Sequence, residues 1–116
     1  MVTDDTTLSH FLGRARELVP TAVDGTSYGM PALLYRGRPL VAMVTTASGY
    51  SVYPFSPAVI DAVALTHPDL TRSKGAVTFT ETHTLSTTAF DALIRGRVAE
   101  IDLALETSGR RKRDRE

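Results

Sequence analysis

Residues 31–55, PALLYRGRPLVAMVTTASGYSVYPF, constrain the fold more than any other stretch. Two runs with strand character, Ala32 to Arg36 and Leu40 to Thr46, flank Arg36-Gly37-Arg38-Pro39, where Gly37 takes a positive φ at no steric cost. A second turn at Ala47-Ser48-Gly49 leads into Tyr50 to Tyr53, whose alternation suits a half-buried strand, and Pro54 ends it. Connections this short join antiparallel neighbours, because a parallel crossover needs about a dozen residues or more. The chain is therefore built around an antiparallel meander.

The segments on either side read as its cover. From Thr7 to Val19 the residues Leu8, Phe11, Leu12, Ala15, Leu18 and Val19 recur at spacings of three and four, one apolar helical stripe stopped by Pro20. The segment TAVDGTS that follows reads as a turn-rich connection centred on Asp24-Gly25. Ser56 stands where an N-cap belongs and Pro57 at the first helical position, with Val59, Ile60, Val63 and Ala64 on one face and Pro68 at the end. After the basic loop TRSKG comes a strand carrying Val77 and Phe79 on one face, with Thr78 and Thr80 on the other. Ser86 caps a last helix whose stripe runs Phe90, Leu93, Ile94, Val98, Ile101 and Leu105, and Gly109 closes it. The expectation is an α+β fold: a single antiparallel sheet of about four to five strands with helices packed on it.

A chain of 116 residues is one domain, placed at 1–109, followed by a basic, disordered tail over 110–116. With no cysteine there is no disulfide, thiol nucleophile or cysteine-ligated metal, and a reducing cytoplasm fits. The N-terminal MVTDDTT is acidic where a secretory signal is basic, and no apolar run is long enough to span a membrane. The tail holds five basic and two acidic residues, which leaves the remainder at −3 and argues against a nucleic-acid partner. The histidines His10, His67 and His83 stand apart, and no nucleophile–base spacing appears, so no catalytic residue is assigned and the chain reads as a non-enzyme.

The segments SYGMPALLYRGRPLV, YSVYPF and SKGAVTF, followed by LIRGRVAEID within a helix, resemble the YdhG-like family of small bacterial proteins, domain of unknown function 1801. The resemblance runs from about Thr7 to about Glu106. It implies an α+β fold and a cytoplasmic bacterial protein, and one branch of the family has been proposed as a frataxin-like iron chaperone. Two departures bear on iron: Asp24 stands alone where the family carries several Glu, and Gly49-Tyr50 occupies the place of its usual His.

The residues themselves favour a binding face. In SYGMP, Gly29 frees the backbone and Pro31 holds Met30 extended, so the segment reads as a bent edge strand with Tyr28 and Met30 pointing one way. If Tyr50 and Tyr53 join them, the four make an apolar floor with hydroxyl tips, and Arg72, Ser73 and Lys74 of the loop supply an anion-holding rim. Arg97, interrupting the last helical stripe, reads as a structural residue with a buried stem and a guanidinium tied to a carboxylate or carbonyl, Asp61 being one candidate, while Asp91, Glu100, Asp102 and Glu106 read as a solvated outer face. Three readings follow: a non-enzymatic protein binding a small anionic ligand or a protein partner on this face, with no cofactor; an iron chaperone in the family's manner; and a homodimer that buries the same face.

Overall fold

A computed structural model describes residues 2–47, 49–73, 75–80 and 82–115, with side chains among them from 7 to 107. The elements are α1 (Val2–Leu18), β1 (Val23–Ser27), β2 (Met30–Tyr35), β3 (Arg38–Thr46), β4 (Gly49–Tyr53), α2 (Pro57–Thr66), β5 (Val77–Phe79) and α3 (Thr87–Arg115). The five strands form one sheet in the order β1-β2-β3-β4-β5, every neighbouring pair antiparallel. This is the α+β architecture that the meander requires.

The segment expected as a loop before the meander is β1, paired from Val23↔Leu34 to Ser27↔Met30. It is joined to β2 by Tyr28 and Gly29 alone, at φ 53° and 76°, and Arg36 and Gly37 repeat that geometry between β2 and β3 at 53° and 80°. Two-residue loops with positive φ at both positions match the right-handed twist of their strands, which a type I or II turn would splay. SYGMP is thus a tight hairpin turn rather than a bent strand.

Between Leu33 and Leu34 the β2–β3 register shifts, so that Leu33 faces Val41 while Leu34 faces Pro39. Leu40 is the extra residue of a bulge, and both Leu40 and Val41 are completely buried in the core.

All three helices contribute to one core cluster on one side of the sheet, where Phe11 and Ala15 of α1 with Val19 just after it, Val59, Ile60 and Val63 of α2, and Phe90, Leu93 and Ile94 of α3 meet Leu33, Val41, Val52 and Val77. The capping chemistry agrees with the sequence: Ser56 Oγ accepts from the Val59 N–H at 3.1 Å, with Pro57 next, and Ser86 Oγ accepts from the Ala89 N–H at 3.1 Å. At Gly96 a Cβ would stand 3.0 Å from Val59 Cγ1, so the glycine lets α2 and α3 pack closely. The helix α3 continues past Gly109 to Arg115. Glycine weakens a helix by about 1 kcal/mol without ending it.

Candidate functional site

The register assigns each strand residue to a face, since directly paired residues share a side and successive residues alternate. Tyr50 pairs with Phe79 and Thr45, on the helix side; Tyr53 pairs with Ala42, on the other. Tyr50 is 3% exposed, its ring stacked on Phe79 at 5.0 Å. The expected convergence of four side chains is therefore corrected. Three residues apart on a strand, Tyr50 and Tyr53 must point oppositely. Met30 pairs with Ser27 on the same side as Tyr53. Tyr28, in the turn, is 87% exposed, its ring 6.0 Å from that of Phe55 and nearly parallel to it.

Of the expected anion-holding rim, Arg72 does not join the Tyr53 face. Arg72 is ion-paired with Asp61 of α2, which belongs to the helical layer. The Ser73 N–H donates to the Ala76 carbonyl at 2.9 Å, and Lys74 lies outside the described residues. An anion on the Tyr53 face meets no cation among the described residues of that face.

Of what that face does carry, only Met30 and Tyr53 were singled out from the sequence. Ala32, Ala42 and Ser51 form a floor of small buried residues, with Met30, Leu34, Val44 and Tyr53 half-buried around them. None of these seven side chains belongs to the core cluster or packs against it. The neighbours that share the face, Val23, Gly25, Ser27, Thr46, Gly49 and Thr78, complete a surface without a single charged residue among the described residues. An antiparallel sheet covered by helices on one side ordinarily turns polar side chains to water on the other. The signal lay in the alternation of β3 and β4, readable once the strand starts are fixed.

Charge is gathered instead into seams between elements. Asp91 of α3 takes two hydrogen bonds from Arg14 of α1, at 2.9 and 2.7 Å. Asp102 accepts from the Tyr35 hydroxyl at 2.8 Å and from Arg36 at 2.9 Å. Glu100 accepts from Ser56 at 2.7 Å and from Arg97 at 3.2 Å, while Arg97 Nε donates to the Pro39 carbonyl at 3.0 Å. Arg97 is thus tied to a carboxylate and a carbonyl as expected, those of Glu100 and Pro39 in place of Asp61, and these three carboxylates tie α3 to α1, the β2–β3 hairpin and the α2 cap instead of standing in solvent.

The Arg14 guanidinium holds the Asp91 carboxyl below its ordinary value, and the Tyr35 hydroxyl with Arg36 does the same for Asp102, whose carboxylate in turn raises the Tyr35 phenol. A carboxyl with a depressed folded pKa adds stability that is fully present above its unfolded value, near 4, and is lost as pH falls through the folded one. Melting temperature is therefore expected to fall steeply below about pH 4, and Asp91→Asn to flatten that acid limb relative to the parent. Thermal melts across the acid range check this, and parallel profiles for parent and variant would contradict it.

The same bonding bears on iron as a cargo. A hard-ion site needs several deprotonated oxygens or imidazoles around one point. Asp91, Glu100 and Asp102 are turned to separate cations and hydroxyls, and no group of three or more His, Cys, Asp or Glu among the described residues could hold a metal ion. The donor set does not fit.

No protein-family model matches the chain, and no curated protein is similar to it. Among solved structures it is similar to the crystal structure of a DUF1801-family protein, YdhG, from Bacillus subtilis, with a TM-score of 0.71 and 10% sequence identity, over 82% of this chain and 77% of that one. At that identity the likeness is one of fold. The chain has the α+β fold of a DUF1801 protein, as the resemblance of its motifs implied. No helix among the described residues is long and apolar enough to cross a membrane.

Proposed function

We propose that this chain is a non-catalytic interaction module that pairs with a second copy of itself through the helix-free face of its sheet. The observation that carries the reading is the absence of charge from that face, in a chain in which 22% of residues are charged. Burying a charge without a partner is costly, whereas an uncharged surface meets its own copy about a two-fold axis with no ion left unpaired. The half-buried Met30, Leu34, Val44 and Tyr53 stand over the buried floor of Ala32, Ala42 and Ser51 and are the side chains that a facing copy would meet. Two such sheets stack about 10 Å apart.

Five strands at about 4.8 Å spacing and about five residues in length give a face of about 24 by 17 Å. That is at the small end of specific interfaces, so a dimer dissociating at about micromolar concentration is expected. Sedimentation velocity should show the mass rising from 12.6 kDa towards twice that value as concentration rises. Val44→Lys, which puts an ammonium into the middle of the face from a half-buried position, should stay monomeric with an unchanged circular dichroism spectrum. A parent protein that remains monomeric at about 500 μM, far above that range, would overturn the reading. So would a Val44→Lys protein that dimerises as the parent does.

A further inference from the structure

We infer that the groove between the start of α2 and the middle of α3 is a separate binding site, for a small molecule with an apolar body and a neutral carbonyl group. The inference does not rest on self-association, since the groove lies between two helices. Its volume is about 670 Å³, within the range of small-molecule pockets. Phe55, Pro57 and Leu103 form apolar walls, with Arg97 and Glu100 also lining it. Leu103 is 66% exposed, although most apolar residues of α3 are covered by the core.

The polar groups select the ligand. The Arg97 side chain is only 17% exposed. Its Nε–H is held by the Pro39 carbonyl and one Nη1–H by Glu100. A guanidinium has five N–H groups, so the two on Nη2 are left to donate to a ligand, and because no buried polar side-chain atom among the described residues lacks a partner, Nη2 is in contact with solvent. Glu100 cancels the charge of Arg97 beside it. An anion drawn to Arg97 is repelled by Glu100, and a cation meets the converse. A neutral carbonyl gains a hydrogen bond from a charged donor without the desolvation of an ion.

Phe55 adds an independent sign. It holds φ 59°, a left-handed conformation that costs a bulky residue about 1–2 kcal/mol. Unlike Tyr28 and Arg36 it sits in no two-residue hairpin, and retained backbone strain of this kind gathers at binding sites. The conformation leaves its ring both beside Tyr28 and on the groove wall.

Three probes with one apolar body separate the head groups: phenylbutyramide, phenylbutyrate and phenylbutylamine, each titrated into the full chain and followed by amide nitrogen–proton spectra. The expected result is saturable shifts at Phe55, Ser56 and Leu103, with the amide binding at least about fivefold more tightly than either charged probe. Leu103→Glu, at an exposed position, should weaken the amide about tenfold or more with the melting temperature unchanged. Absence of saturable shifts with the amide, tightest binding of a charged probe, or full affinity in Leu103→Glu would each overturn the inference.

Discussion

Replacing Phe90 by alanine is expected to lower the free energy of unfolding by about 3–5 kcal/mol, the range for an aromatic removed from a packed interior. Phe90 has no exposed surface. Its ring lies 4.9 Å from that of Phe11, which in turn meets Phe79 edge-on at 5.2 Å. One side chain of α3 therefore holds α1 and, through it, strand β5. Cutting it back opens a cavity where three elements meet, in a domain whose total stability is of the order of 5–15 kcal/mol. Denaturant unfolding checks this: the midpoint should fall sharply with an unchanged slope, and a loss under about 1 kcal/mol would show that the aromatic cluster is not the hub of the core.

The second large effect is expected at Gly49. A Cβ there would stand 2.4 Å from the Phe79 carbonyl oxygen and 3.0 Å from Thr80 Cγ2. The nearer atom is backbone, so no rotamer change relieves the contact, and β4 must move away from β5. That movement strains the Tyr50↔Phe79 pair at the first step of a ladder only three pairs long. Gly49→Ala should cost about 3 kcal/mol, the upper end for overpacking, and should release the amide protons of β5 to exchange before those of β2 and β3. Unaltered exchange in β5 would contradict the close approach described here.

Much of the architecture was legible because its signals are local. Gly37 announced its hairpin, Ser56 and Pro57 marked the start of α2, and the short links of the meander left only antiparallel pairing. Strand β1 was not legible, because VDGTS has the composition of a turn and becomes a strand only through its pairing with β2. The site was read less well for a related reason. Strand parity depends on where a strand begins, and grouping tyrosines by residue type placed Tyr50 with Tyr53 although the alternation separates them. Asp91 and Asp102 stand off the apolar stripe, but their partners come from far away in the chain, with Arg14 77 residues from Asp91 and Tyr35 67 residues from Asp102. No pattern in one sequence reveals such pairs.

The uncharged face is the claim on which the functional account turns, and it is tested most directly by which atoms of two copies touch. Isotope-filtered nuclear Overhauser spectra on a mixture of labelled and unlabelled protein report contacts between copies alone. The account predicts cross-peaks from the Val44 methyl groups of one copy to the Tyr53 ring and Met30 methyl of the other. Contacts between copies confined to the outer surfaces of α2 and α3, or none at concentrations where the mass has doubled, would contradict it.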